Sequence, residues 1–282
     1  MENEFENALQ ALLNFECSDA NPEEKYSELF RTMIMSSMKI CSETDYSVLV
    51  QKKIESIEKK FGVKVDASDE TDPYRRLREV MRFEMAHEAI LNNKEFEICC
   101  TDKNLENAMA KIRGELEEIV PDSQKQVVDS IGSSLYAEFT KYLVCTTFDM
   151  IADIKIYEMK EFHPLQINAI GKELRTTINM IRQQSAKPQK SRTVTDWFRL
   201  MMIQPAFLFR KLYAVSMEDM FEYPQPQFDT AAMMFESFYR TAALFCPGDE
   251  YGILYNYLVD LQLDECFTIR PKEKPHAKPI VN

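Results

Sequence analysis

Apolar residues recur every three or four positions through most of this chain. After Asp102 the apolar positions alternate between spacings of four and three. They are Leu105, Met109, Ile112, Leu116 and Ile119. This spacing places one apolar face along an α-helix. Comparable spacing in the segments on both sides predicts a chain built almost entirely of helices.

Helix start and stop signals divide this pattern into segments. Asp72 and Pro73 combine a capping side chain with a proline at the first helical position. Gly62 lies where a left-handed residue would end a helix, and Pro121 stops another. Together these signals predict an all-α fold, an irregular multi-helix bundle or helical array of roughly ten to eleven helices. No repeat of about 33–45 residues recurs, so the known helical repeat families are not predicted.

One segment in the middle of the chain admits two interpretations. The helical pattern runs from Ser123 to about Phe162 and is apolar on much of its circumference around Leu143–Ile156, which is typical of a helix at the centre of a bundle. Residues 144–148 would also suit a buried strand. No partner strand is evident, so we expect a helix, with Gly132 as a candidate break.

Composition shifts divide the chain further. Residues 184–192 are polar and basic and contain Pro188, which predicts a linker. The linker would join an N-terminal helical domain, 1–183, to a C-terminal helical subdomain, 193–267. Residues 268–282 contain three prolines and no apolar periodicity, so we expect them to form a flexible or extended basic tail.

Glycine is scarce, with six residues in a chain of 282. Average usage of about 7% would give roughly twenty. Strand-rich and α/β folds use glycine in tight turns and phosphate-binding loops. The two common glycine-rich nucleotide-binding patterns are absent. The sequence therefore predicts no nucleotide cofactor, and nothing in it indicates any other.

The net charge and the cysteine content limit which partners and which cellular compartment we expect. The formal net charge is −12, which disfavours nucleic acid because affinity for it rests on neutralised phosphates. The seven cysteines form no C-x-x-C pair, and we expect reduced thiols in a cytoplasmic or nuclear protein. The N-terminus does not resemble a signal peptide. No stretch of about twenty apolar residues occurs, so we expect no membrane span.

Few side chains indicate catalysis or metal binding. Glu84 and His87 have the Glu-x-x-His spacing of di-iron bundles, but the second pair that such a site needs is missing. Cys99 and Cys100 precede a predicted helix start, where thiolates are favoured. No histidine lies near them in sequence. The sequence thus predicts no metal site and no catalytic residues, and it favours a non-enzymatic protein.

Aromatic residues and methionine concentrate in the C-terminal third. Between Trp197 and Tyr213 the pattern is apolar on more than one face, so this region is either central or covered by another chain. These residue types favour partner-binding surfaces. We therefore expect a protein–protein interaction function, as an adaptor or scaffold subunit that binds another protein or a second copy. The candidate anchors are Trp197, Phe198, Met201 and Phe209.

The tail differs from the preceding region in charge. Residues 267–282 carry four basic residues and one acidic residue, whereas residues 193–266 carry eleven acidic and four basic residues. Spaced lysines and prolines suit docking in an extended conformation, either on another protein or back on the acidic subdomain. The candidate docking residues are Arg270, Lys272 and Lys274.

Two other functions remain open. A ligand-binding protein or enzyme would have a pocket between helices, with His87, His163 or Cys100 at its wall. A nucleic-acid-associated factor would use a local basic face despite the acidic total. The candidate residues of that face are Arg75, Arg76, Arg78 and Arg82. Arg75, Arg78 and Arg82 lie near one helical stripe.

Overall fold

The computed structural model describes residues 2–15, 22–66, 70–120, 125–184 and 191–272. Within these ranges the chain forms eleven α-helices and a two-stranded sheet, which confirms the predicted all-α class. The first six helices are α1 (Glu2–Leu13), α2 (Pro22–Glu43), α3 (Tyr46–Phe61), α4 (Pro73–Leu91), α5 (Asp102–Ile119) and α6 (Lys125–Tyr157). The others are α7 (His163–Gln184), α8 (Arg192–Met202), α9 (Gln204–Tyr213), α10 (Gln225–Ala242) and α11 (Glu250–Asp260). The strands are β1 (Phe96–Cys99) and β2 (Thr268–Pro271). No helix in these ranges combines the length and the apolar content needed to cross a membrane.

Helix ends follow the capping side chains along the chain. The carboxylate of Asp72 accepts hydrogen bonds from two backbone N–H groups in the first turn of α4. Gly62 ends α3 with a φ of 68°, the left-handed conformation that a side chain disfavours. At the start of α5 the cap is Thr101, which precedes Asp102 and forms a reciprocal capping box with Asn104.

α6 runs without interruption through the segment that had two interpretations. Residues 144–148 are helical, so the helix prediction is confirmed there. Gly132 does not break α6. A side chain at this position would collide with the Met109 side chain of α5, so the glycine lets the two helices approach closely. α6 packs against α4, α5, α7, α8, α9 and α11. These contacts explain why its sequence is apolar around most of its circumference.

One apolar core extends to both sides of residues 185–190, which lie outside the described ranges. α8 packs on α5 and α6, and α9 packs on α6 and α7. Trp197 and Met201 of α8 belong to the same cluster as Phe139 of α6. The predicted N-terminal domain and C-terminal subdomain therefore share a core in the described part of the chain.

The sheet joins two segments for which the sequence predicted no strand. β1 and β2 are antiparallel, and Ile98 pairs with Ile269 at the centre of the register. The first four residues of the tail thus form strand β2. This strand packs beside β1 and α5, which belong to the predicted N-terminal domain 1–183. Residues 273–282, which include Lys274, lie outside the described ranges. Neither strand was predictable from sequence, because each has only four residues and its side chains do not alternate between buried and exposed.

Candidate functional site

A cleft opens between α4, α6 and α7, and the junction of α8 and α9 contributes to its lining. Its volume is about 570 Å³, which falls in the range of about 300–1,000 Å³ that is usual for small-molecule sites. Part of the lining is apolar and consists of Met150, Ile170, Leu174, Met202 and Pro205. The lining also includes charged side chains of α4, α6 and α7, and their arrangement decides what the cleft can bind.

Three arginines of α4 face the cleft. Arg75, Arg78 and Arg82 are three and four residues apart, so they lie along one face of the helix. Helices α6 and α7 bring carboxylates to the same cleft. These are Asp149 and Asp153 on α6 and Glu173 on α7.

Arg78 uses all three nitrogens of its guanidinium to bind these carboxylates. Nε and Nη2 donate to the two carboxylate oxygens of Asp153 at 2.8 and 2.9 Å, and Nη1 donates to Glu173 at 3.1 Å. The side chains of Arg78 and Asp153 are only 12% and 3% exposed. A buried bidentate ion pair of this kind fixes both side chains in place. Arg78 therefore ties α4 to both α6 and α7 and has little donor capacity left for a ligand.

Arg82 is less fully engaged. Its Nη2 donates to the carboxylate of Asp149 and, at 3.1 Å, to the carbonyl oxygen of Cys145. Its Nε is buried and has no hydrogen-bond partner among the described residues. The carboxylate of Asp149 also lies 3.7 Å from Nε of Arg78. Asp149 thus stands between two arginines at the wall of the cleft.

Behind the arginines lies a buried network of neutral groups. The hydroxyl of Tyr74 donates to Asp153 at 2.5 Å, and the side-chain amide of Gln166 donates to the Tyr74 hydroxyl at 3.2 Å. The same amide donates to the backbone carbonyl of Asp153 at 2.8 Å, while Tyr213 donates to the Gln166 side-chain oxygen. Burial holds the pKa of both tyrosines well above the usual value, so they stay protonated donors.

Asp149 is the carboxyl in the cleft with a raised pKa. Burial is the largest cause and disfavours the ionised form, and the negative charges of Asp153 and Glu173 act in the same direction. The positive charges of Arg78 and Arg82 oppose them only in part. The result is a pKa of about 6. A perturbed carboxyl at the wall of a cleft is a feature of functional sites.

The charges of the lining leave the cleft net negative. Six acidic and four basic side chains line it, which gives a formal charge of −2. The three arginines and the three facing carboxylates cancel. The excess comes from Glu70, Asp72 and Glu79, which only Lys172 opposes.

The apolar anchors predicted from sequence lie inside the chain. Trp197, Met201 and Phe209 are buried, and Phe198 is half-buried with its ring edge-on to Phe139 at 5.3 Å between centroids. The structure therefore brings none of the four to an exposed apolar surface. Their packing accounts for an apolar pattern on more than one face, and their role in partner binding stays a prediction.

The two described docking candidates of the tail, Arg270 and Lys272, are exposed and have partners in the same chain. Arg270 donates to Glu97 of β1 at 2.7 Å. Lys272 lies 3.6 Å from the carboxylate of Glu95, and its backbone N–H donates to the Glu95 carbonyl. Lys274 lies outside the described residues.

The residues expected at the wall of a pocket lie elsewhere in the fold. The ring of His87 stacks on Phe83, and His163 is buried with Nε2 2.8 Å from the carbonyl of Tyr157. Cys100 is exposed, 3.6 Å from the hydroxyl of Tyr136. None of the three lines the cleft. No group of side chains suited to a metal ion occurs in the described ranges.

Sequence reasoning found the arginines of the cleft but missed its carboxylates. Asp149 and Asp153 are charged positions in a helix that is otherwise apolar around most of its circumference, and this was the available signal. Glu173 gave no signal, because a glutamate on an amphipathic helix is ordinary. Comparison with known protein families, curated proteins and solved structures finds no significant match to this chain.

Proposed function

We propose that this protein is a binding protein that holds a small organic cation, an alkylammonium or alkylguanidinium group, in the cleft between α4, α6 and α7. The observation that carries the proposal is the uncompensated negative charge of a cleft that apolar side chains also line in part. The function belongs to the ligand-binding class that the sequence left open, with different residues at the wall.

Charge favours a cation over an anion. The lining has a formal charge of −2 and the whole chain −12, so the long-range field attracts positive ligands and repels negative ones. The arginines do not reverse this preference, because Arg78 is bound to Asp153 and Glu173 and Arg82 to Asp149. The same pairing removes support from the hypothesis that Arg75, Arg78 and Arg82 form a nucleic-acid-binding face, which stays untested.

The rest of the lining suits a ligand whose alkyl chain carries the positively charged group. Methionine, isoleucine and leucine side chains offer apolar contact for a short stem. Tyr142 lies at the wall, and an aromatic ring favours a neighbouring cation. Asp149 and Glu79 supply carboxylates that can accept N–H donors.

The adaptor hypothesis has less to support it. Its apolar anchors are buried or half-buried in the chain, and Arg270 and Lys272 contact carboxylates of the same chain. Protein interaction stays an untested prediction. A basic side chain of a partner protein would present the same chemistry to the cleft, so the experiment below includes that source.

The test is an NMR titration with four small probes at about pH 7.5, which lies above the pKa of about 6 of Asp149. Butylguanidinium and butylammonium are the cations, butylurea is the neutral isostere, and pentanoate is the anion. We expect both cations to shift signals of cleft residues with dissociation constants in the roughly millimolar range, since ligands this small reach only limited affinity. Butylurea and pentanoate should bind at least about tenfold more weakly.

Two tryptophan substitutions on α7 locate the site. Thr177 lines the cleft, whereas Asn179 is exposed on the same helix and does not line it. Thr177→Trp should fill the cleft and abolish the binding of butylguanidinium, and Asn179→Trp should leave it unchanged. Equal binding of butylurea, or binding that survives Thr177→Trp, would refute the proposal. An arginine-containing peptide that binds the cleft far more tightly than butylguanidinium would assign the site to protein interaction instead.

A further inference from the structure

Asp149 is the point at which the charge of the cleft can change. Its carboxylate binds Arg82 and lies near Arg78, and the side chain is 29% exposed. Asp153 is different, because it is nearly inaccessible and is bound by Arg78 through both oxygens. Asp149 can therefore exchange a proton with the solvent of the cleft without disturbing the buried pair beneath it.

The charged groups that face Asp149 come from all three walls. Arg78 and Arg82 face it from α4, Asp153 from its own helix α6, and Glu173 from α7. Arg75 of α4 also lies 3.9 Å from Glu173. The three arginines and three carboxylates therefore balance only while Asp149 is ionised, and a proton on Asp149 leaves one positive charge in excess among them. The α8–α9 junction contributes Met202 and Pro205, which do not titrate.

We propose that Asp149 couples the occupancy of the cleft to protons, so that a proton on its carboxyl and an organic cation in the cleft disfavour each other. This inference rests on the proposed function, because it describes the regulation of that same site. Protonation of Asp149 removes a negative charge and frees Arg82 from the only carboxylate that it binds among the described residues. Both changes make the cleft more positive and weaken its hold on a cation.

The coupling is reciprocal. A cation beside Asp149 favours the ionised carboxylate, so binding below its pKa of about 6 must release a proton. The affinity for a cation should then be constant above about pH 7 and fall on acidification, by at most tenfold per pH unit when one proton is released per cation bound.

The experiment repeats the butylguanidinium titration between about pH 5 and pH 8 at constant ionic strength. The guanidinium stays charged throughout this range, so the probe itself does not titrate. The matched variants are Asp149→Asn and Asp129→Asn. Asp129 forms a comparable ion pair with Arg113, 2.7 Å apart and more exposed, outside the cleft.

The expected result separates the two variants. With a pKa of about 6, the wild-type protein and Asp129→Asn should lose about two- to fourfold in affinity from pH 7 to pH 5.5, and Asp149→Asn should show a flat profile. Binding that is independent of pH in the wild type would overturn the coupling and leave the proposed function intact. A pH dependence that persists in Asp149→Asn would assign the proton to another group. No binding at any pH would overturn both proposals.

Unfolding of the free protein gives a second readout that needs no ligand. Because the pKa of Asp149 is raised in the native state, protonation of this carboxyl stabilises the fold. This contribution is complete below the unfolded pKa of 3.8 and is lost as the pH rises through about 6. The free energy of unfolding of the wild type, minus that of Asp149→Asn, should therefore fall between about pH 4 and pH 6 and level off above pH 7. A flat difference would show that the pKa of Asp149 is the same in the native and unfolded states, so that no proton is bound near pH 6, and it would overturn the coupling.

Discussion

At the residue scale, the cleft is built on one buried ion pair. Arg78 and Asp153 are almost inaccessible, and each satisfies the other through two hydrogen bonds. Tyr74 adds a third hydrogen bond to Asp153, and Glu173 holds the remaining side of Arg78. A buried pair adds little stability over an apolar replacement, but the loss of one partner leaves a charge in a poorly solvated site.

Asp153→Asn tests this arrangement. The substitution keeps the shape of the side chain but removes the charge that balances Arg78, so we expect the free energy of unfolding to fall by about 3 kcal/mol. Urea denaturation monitored by circular dichroism measures the change. Asp129→Asn, at an exposed pair, should cost no more than about 1 kcal/mol. Equal effects of the two substitutions would mean that burial does not set the strength of the Arg78–Asp153 pair.

At the element scale, a helix can be anchored by a side chain that is remote in sequence. The carboxylate of Glu115 on α5 accepts hydrogen bonds from the hydroxyls of Ser191 and Thr193, both at 2.6 Å, and from the backbone N–H of Thr193 at 3.0 Å. Burial, the largest single influence, raises the pKa of Glu115. The hydrogen bonds together outweigh burial, so the pKa of Glu115 lies below its usual value. The first turn of α8 is therefore capped by its own Ser191 and by α5 together.

Glu115→Ala should release this end of α8. We expect a loss of about 1–2 kcal/mol, the usual cost of removing a helix cap and a charged hydrogen-bond acceptor. Hydrogen exchange should speed up at the amide of Thr193 before it changes in α6. Glu117→Ala provides the control, since Glu117 is exposed on the same helix. Unchanged exchange at Thr193 would contradict the proposed anchoring.

At the scale of the whole molecule, the C-terminal segment returns to the N-terminal half. Strand β2 pairs with β1, and the hydroxyl of Thr268 donates to Asn104 at 3.0 Å. The side-chain amide of Asn104 in turn donates to the carbonyl of Glu265 at 3.0 Å. The same asparagine forms the capping box of α5 with Thr101, so one side chain links the start of a helix to the end of the described chain.

A shortened chain tests the contribution of β2. A protein that ends at Phe267 lacks the strand, whereas one that ends at Lys272 keeps it and serves as the reference. Removal of β2 deprives β1 of its partner and exposes Ile98, so we expect a loss of about 1–3 kcal/mol in urea denaturation. Amide exchange in β1 should rise in the shorter protein. Equal stability of the two proteins would show that the strand pairing is energetically neutral.

The sequence alone determined the helical class, most helix starts and the central position of α6. These features depend on local physics: the helical period marks an apolar face, and a capping side chain acts within one turn. The arginine stripe of α4 was visible for the same reason. Sequence did not reveal what each face contacts, so the partners of Arg78 and Arg82 and the burial of Trp197 were not predictable.

Only the tertiary structure decided the site and the sheet. Asp149, Asp153 and Glu173 become a set because α6 and α7 pack beside α4, and no spacing along the chain encodes that packing. The raised pKa of Asp149 depends on burial and on neighbours from other helices. β1 and β2 exist as strands because each satisfies the backbone of the other. A periodic pattern specifies which side of an element is apolar, whereas the assembly of elements specifies which charges meet.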